Sequence, residues 1–459
     1  MQSIGFYGAA ETVTGSRHLL TINGKTILVD CGLFQGDRET RALNWEPFPM
    51  SPKDLDLVLI THAHMDHIGW LPRLVAQGYK GPIYSTKATM ELARISLPDS
   101  GRLQEEDARY HNKKGISQNK PALPLYTEQM AYDCLKQFEP HPYNTMTPLP
   151  GGATFRFMFA GHIMGSAFIE IYFENGQRIL MTGDMGRFDT PIIKDPTIVD
   201  GAEYLVIEST YGDRIHEHVD PTIKLLEVMS DVAEKRSTLI VPSFAVGRTQ
   251  ELLYYIKKLQ DSGKAPKMPI YVDSPMATSV SELYERNVGE HDEETELADK
   301  HHINLMEPEG LVYTRDRDDS IKLNNQDGPM MIISGSGMAN GGRVVHHLLH
   351  RLSDPDTVVM FTGYQATGTL GRRLMNGDAN VNVLGQHVQV RAKIDSLLSL
   401  SAHADQAEML KWMGNFKTPP KQTFVVHGEP PAQEALMAKV RETLGWNICV
   451  PVRGQKFDL

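Results

Sequence analysis

Leu57-Val58-Leu59-Ile60-Thr61-His62-Ala63-His64-Met65-Asp66-His67 joins a branched apolar run to three imidazoles and a carboxylate. The run has the length and branching of a buried strand, so four polar donors leave one strand end together. Side chains alternate along extended backbone, which points His62 and His64 the same way and lets Asp66 and His67 turn toward a second ion. The segment predicts a metal site able to seed two cations. A solvated polar loop is the competing reading.

Strand-like runs recur at 26–29, 179–181, 205–207 and 424–426, each giving way at once to polar or glycine residues, among them Asp30, Asp184, Glu208 and His427. Donors collected at strand ends across such sequence distances are expected of a site assembled from loops on a rigid scaffold. His162, in Ala160-Gly161-His162-Ile163-Met164-Gly165-Ser166, is a further candidate. Zinc takes neutral imidazole and carboxylate, and a neighbouring pair of ions can share one carboxylate, so six or seven ligands are needed.

A chain of 459 residues exceeds what one hydrophobic core usually serves, and two domains are expected. With 41% hydrophobic and 22% charged residues, disorder and fibre are excluded. Cys31, Cys134 and Cys449 lie far apart, which argues against a disulfide framework and against a thiolate zinc site, leaving nitrogen and oxygen donors. The start, Met1-Gln2-Ser3-Ile4-Gly5-Phe6-Tyr7-Gly8, has no basic region before an apolar core, and no run reaches membrane-spanning length; a cytoplasmic protein without a membrane partner is expected. The net charge of -11 gives no global attraction to nucleic acid, although screening over about 10 Å lets a local basic patch act by itself.

Between 208 and 392 the pattern becomes strand, glycine-rich turn and helix in repeated order. Strands are predicted at 239–241, 270–272 and 331–333, with helices at 248–258, 276–284 and 344–352, which suggests a parallel sheet with crossover helices. Candidate ligands precede and follow this region, so it reads as an insertion, with residues 1–207 and 393–459 forming the host domain. The acidic stretch Glu290-His291-Asp292-Glu293-Glu294-Thr295-Glu296 reads as a solvated helix face or loop.

The order of these motifs resembles the metallo-β-lactamase superfamily, and within it the β-CASP branch of nucleic-acid nucleases, with bacterial homologues of the endonuclease subunit of the cleavage and polyadenylation specificity factor nearest. Glu208 in Ile207-Glu208-Ser209-Thr210-Tyr211-Gly212, His403 in Ser399-Leu400-Ser401-Ala402-His403-Ala404-Asp405, and His427 match the three motifs of that branch. Pro242-Ser243-Phe244-Ala245-Val246-Gly247-Arg248-Thr249-Gln250-Glu251 and Ser334-Gly335-Ser336-Gly337-Met338 look like its inserted domain. The resemblance implies an α/β fold, an αββα sandwich with an inserted α/β domain whose parallel sheet is flanked by helices. It further implies that His62, His64 and His162 hold one zinc, that Asp66, His67 and His427 hold the other, that Asp184 bridges them, and that Asp30 orients a ligand from behind.

The activity implied is cytoplasmic zinc-dependent hydrolysis of single-stranded RNA, endonucleolytic, by a hydroxide bridging two Zn2+. Asp66 or Asp184 would accept the hydroxide's proton, and His403 would be the general acid with Glu208 behind it. Ser334, Gly335, Ser336 and Gly337 would approach phosphate oxygens. Arg248 and Arg372 lead a basic set, with Arg343, His346, His347, Arg373 and Lys393, expected to line a channel between domains. An RNA-binding extension ahead of the nuclease and a C-terminal domain, both found among relatives, are not expected here. The rival readings are a non-catalytic RNA-processing scaffold, a DNA-directed nuclease and a small-ester metallo-hydrolase. A homodimer is compatible with the sequence.

Overall fold

The branched apolar runs form strands Lys25–Val29, Leu57–Leu59, Arg178–Met181, Tyr204–Ile207 and Gln422–Val425 in a computed structural model that describes residues 2–115, 121–216 and 219–459. They belong to two seven-stranded sheets. The first runs Lys456–Asp458, Gln2–Gly8, Arg17–Ile22, Lys25–Val29, Leu57–Leu59, Ile83–Ser85, Phe138–Pro140. The second runs Ile448–Cys449, Gln422–Val425, Tyr204–Ile207, Arg178–Met181, Ala167–Tyr172, Thr154–Phe159, Thr147–Pro148.

Period-two patterning stacks the sheets. Ile4, Phe6, Leu20, Ile27, Val29, Leu57 and Leu59 from the first share one core with Phe155, Phe157, Ile169, Ile171, Ile179, Met181, Val206 and Phe424 from the second. The intervening residues of the second sheet, Met158, Phe168, Leu180, Leu205 and Val425, face outward onto Met409, Trp412 and Met413 of helix Gln406–Met413 and onto Leu436 and Val440 of helix Pro430–Leu444. Helices Lys87–Lys114 and Glu128–Leu135 pack together on the other side, the former against the edge strand Phe138–Pro140. The architecture is αββα.

This unit takes in the chain as far as Thr190, then Lys194–Ile215 and His403–Leu459. The second unit comprises Pro191–Ile193 and His216–Ala402, where the sequence alone suggested borders after 207 and 392. Its six-stranded sheet runs Leu311–Tyr313, Ile270–Val272, Met330–Ser334, Thr238–Pro242, Val358–Phe361, Lys393–Ser396, and every pairing is parallel. Helices Arg248–Asp261, Pro275–Arg286 and Val344–Arg351 occupy the crossovers expected of the strand and helix alternation.

The acidic stretch is less solvated than its composition suggests. Asp292 caps helix Glu293–Lys300, while His291 is buried, its Nδ1 2.7 Å from Asp299 Oδ2. Residues four and eight positions apart turn inward together, which a reading of charge alone misses. Among the described residues no helix is long and apolar enough to cross a membrane.

Candidate metal centre

Parallel pairing puts the donors side by side. Val29 is in register with Leu59, so Asp30 and Thr61 leave neighbouring strand ends, and Thr61 gives Asp30 both its backbone N–H and its hydroxyl at 2.8 Å. In the second sheet Met181, Val206 and Phe424 lie level, so Asp184, Glu208 and His427 follow at one edge. His162 sits in the turn after strand Thr154–Phe159, where Ser166 Oγ accepts its backbone N–H at 3.0 Å. Asp30 and His427 hold φ of 60° and 51°, conformations that favour glycine and cost about 1–3 kcal/mol each.

The backs of the rings are already engaged. His67 Nδ1 donates to Asp30 Oδ2 at 2.7 Å, which fixes the tautomer and turns Nε2 inward. Thr61 spends its proton on Asp30, so at 3.1 Å it accepts from His62 Nδ1–H and leaves His62 Nε2 as a lone pair. Thr210 Oγ1 lies 3.1 Å from His427 Nδ1 and donates to the His427 carbonyl at 3.3 Å, with the same result.

The inward atoms form two sets. His64 Nδ1 is 3.1 Å from both His62 Nε2 and His162 Nε2, and Asp184 Oδ2 is 3.3 and 3.5 Å from those two. His427 Nε2 is 3.3 Å from Asp66 Oδ2 and from His67 Nε2, and Asp184 Oδ1 is 3.2 Å from His67 Nε2. Ligands bound tetrahedrally at about 2.0–2.1 Å from one zinc would lie roughly 3.3 Å apart, so each set has the spacing of a coordination shell. Both sets are among the groups able to hold a cation, and Asp184 offers one oxygen to each. Its Oδ1 is buried without a hydrogen-bond partner among the described residues, an omission that costs about 1–3 kcal/mol unless something binds there.

The electrostatics differ between the two sets. Burial pushes down His62, His162 and His64, the last to about 3, so these rings are neutral donors. Burial opposes the charged forms of Asp184 and Asp66, yet the His427 and His67 rings hold both carboxyls well below the usual range. Burial works against charge on His67 too, but Asp184 and Asp30 raise it.

Glu208 lies within reach of Asp184 and His427, a third group with cation-binding potential. Its oxygens are otherwise committed. They accept from Met185 N–H at 2.6 Å and Thr210 N–H at 3.2 Å, and His403 Nδ1 is 3.0 and 3.1 Å away. His403 is brought in by an antiparallel bridge to Gly186, its side chain is 18% exposed, and its Nε2 is 4.0 Å from Asp184 Oδ2. Burial lowers its pKa, but Glu208, Asp184 and Asp66 more than offset this and lift it to about 9.

A Metallo-beta-lactamase superfamily model matches residues 15–210, a Beta-Casp domain model 249–374, and a Zn-dependent metallo-hydrolase RNA specificity domain model 387–451. Ribonuclease TTHA0252 of Thermus thermophilus is 37% identical over 99% of this chain and 97% of its own. The chain belongs to the β-CASP nuclease branch of the metallo-β-lactamase superfamily. It is a hydrolase of that branch, a family that binds divalent metal. An RNase J-like protein of Methanocaldococcus jannaschii is 30% identical over 99% of both chains, and the transcription termination factor FttA of the same organism is 28% identical over 93% of this chain and 67% of its own. A solved structure of a protein of unknown function from Enterococcus faecalis V583 shares the fold over all of both chains, with a TM-score of 0.54 at 14% identity.

The β-CASP unit treats its basic residues differently. Arg343 donates to Asp273 Oδ1 at 2.7 Å and to the carbonyls of Thr314 and Arg315, and His347 is buried against Asp273 Oδ2 at 2.7 Å. These two are internal ties rather than the open basic positions expected from sequence, because their partner lies some seventy residues earlier in the chain. Arg248 is buried and paired with Glu251, with its Nε lacking a partner. Arg372 is half-buried, and its Nη1 donates to Gln365 O at 3.3 Å. Ser334 Oγ donates to Asp273 O at 2.9 Å, and Gly335, Ser336 and Gly337 open the loop that leads into helix Val344–Arg351. A Cβ on Gly337 would sit 2.6 Å from the Phe244 ring. Thr61 and Thr210 set the ring tautomers, a role that sequence does not signal because a hydroxyl beside a histidine is unremarkable there.

Proposed function

We propose that the chain is a zinc-dependent endoribonuclease that hydrolyses phosphodiester bonds of single-stranded RNA. The observation that carries this reading is Asp184, whose two oxygens face two separate sets of donors. In it His62, His64 and His162 would hold one zinc and Asp66, His67 and His427 the other, with Asp184 available to both and Asp30 orienting His67. Neutral imidazoles and carboxylates without thiolate suit zinc. When bound, such a pair lowers the pKa of water toward neutrality and offsets charge on a phosphate oxygen.

The chain's own groups move the protons. Asp66 and Asp184 are ionised at neutral pH, and Asp66, at the more open end of the site, takes the proton of the attacking water. Glu208 takes the Nδ1–H of His403, so the remaining proton stands on Nε2, 4.0 Å from Asp184 Oδ2, for delivery to the leaving 3′ oxygen. Ser334 to Gly337, Arg248 and Arg372 are assigned to phosphate contacts of the β-CASP unit. RNA as substrate is supported by the Thermus relative, a ribonuclease by name, and by the RNA specificity model over 387–451. Endonucleolytic action rests on the motif resemblance.

Metal analysis should find two equivalents of zinc per chain. Product mapping on an end-labelled single strand of RNA should give internal cuts that a chelator abolishes. A fully folded protein that binds no metal, or one that cuts only the DNA counterpart, would overturn the assignment.

A further inference from the structure

The loop between strands Lys25–Val29 and Leu57–Leu59 leaves the same sheet edge as Asp30 and carries an unusual tryptophan. Trp45 is 48% exposed, whereas Trp70, Trp412 and Trp446 are 0%, 0% and 6% exposed. It caps an alternating stack of rings and guanidinium groups. Arg17 lies 4.9 Å from the Phe34 ring and 4.5 Å from Trp70; Arg73 lies 6.0 Å from Trp70 and 4.7 Å from Trp45.

The stack is tied to the metal loop at its inner end. Arg17 donates through Nε and Nη2 to Gly32 O, and Gly32 packs so closely on Asp66 that a Cβ there would meet the Asp66 carbonyl at 1.5 Å. Asn44 holds the outer end, bonding Phe34 N–H at 2.9 Å and accepting Trp70 Nε1–H on its carbonyl at 2.9 Å. Trp45 is therefore a surface ring on a rigid mount rather than a loose side chain.

Charge selects the ligand. Among the described residues neither Arg17 nor Arg73 has a carboxylate within ion-pair distance, although the chain carries a net charge of -11. The Arg17 and Arg73 guanidinium groups stacked beneath an exposed aromatic, with Glu46 acting on Arg17 only at longer range, favour a partner that is flat, π-rich and anionic. Nucleotides of a single strand combine a stacking face with a phosphate, and stacking is worth enough per base to fix a strand beside a site.

We infer that Trp45 is a stacking platform for a nucleobase of single-stranded RNA, positioning the strand on the metal-bearing unit; this rests on the ribonuclease reading above. The test uses the metal-loaded protein and an oligoadenylate of about 12 nucleotides. Trp45→Ala should raise KM about ten-fold, Trp45→Phe should stay within about two-fold of the parent, and turnover of a small aryl phosphodiester should not change in either. Stopped-flow mixing before turnover should show tryptophan quenching in the parent that both variants lose, and an abasic oligomer of equal length should produce neither effect. Unchanged KM in Trp45→Ala with the quench intact would overturn the platform while leaving the nuclease standing. A parent that quenches with oligoadenylate yet cuts no RNA would instead remove the ribonuclease reading and keep Trp45 as a base-binding residue.

Discussion

Asp184 and Asp273 are both buried carboxylates just past the end of a strand, and each has histidine beside it. Asp273 is saturated: Arg343 takes Oδ1, while Ser320 at 2.6 Å and His347 at 2.7 Å take Oδ2. Asp184 faces imidazoles, and among the described residues its Oδ1 accepts no hydrogen bond. Closed networks hold a fold together; an open one, with donors aimed at a common point, is built for something that arrives later. The distinction lies in what remains unsatisfied, and residue type alone does not reveal it.

Exchanging the shared carboxylate should break the comparison most severely. Asp184→Ala removes one ligand from each donor set, so both metals should be weakened together and turnover should fall by about a thousand-fold or more, the equivalent of several kcal/mol. Mass spectrometry of metal content alongside cleavage assays checks this. Retention of one full equivalent with the other lost would mean the two sets do not share a bridge.

His403 should separate metal binding from proton delivery. His403→Ala should keep its zinc and lose about 10²–10⁴ in kcat. The pKa of about 9 lies above the ordinary imidazole value, so the acid is present at neutral pH and activity should decline as pH rises through about 9. By the same sign, the stability contributed by this charge is complete below about 6.5 and fades across that window. Glu208→Gln removes a charge that raises the value, so the alkaline limb should move to lower pH by more than about one unit. A limb that stays in place would assign the titration to another group.

The saturated carboxylate offers the converse. Asp273→Ala strands the Arg343 guanidinium and His347 without their partner and should cost about 3–5 kcal/mol of stability, read by denaturant or thermal unfolding, with zinc content at the parental level. Loss of zinc in the folded variant would mean this network serves the metal after all.

Much of the fold was legible because apolar strand runs end abruptly, and the donors His62, Asp184 and His427 stand just beyond such ends. The two-layer arrangement follows from alternation, as at Ile169 and Ile171 facing one core while Phe168 faces the other. What stayed hidden was pairing at a distance. Nothing near Arg343 in the chain announces Asp273, and nothing near His291 announces that its ring turns inward to Asp299. Hydrogen-bond partners of this kind are chosen by topology, and sequence spacing does not encode them.

The smallest effect concerns the two arginines expected to grip substrate. Among the described residues the Arg372 side chain makes one long contact, to a neutral carbonyl, and pairs with no carboxylate; it is half-buried, which leaves its charge available to a phosphate. Arg248 is buried and already bonded to Glu251, so much of its charge is spent inside the unit. Each phosphate contact to a single strand contributes about 0.7 to the slope of log affinity against log salt. Arg372→Ala should therefore flatten that slope by about 0.7, while Arg248→Ala should leave it nearly unchanged and act mainly on stability through loss of the buried Arg248–Glu251 pair. Equal slopes for both variants would mean that ion pairing within the β-CASP unit does not decide which arginine reaches RNA.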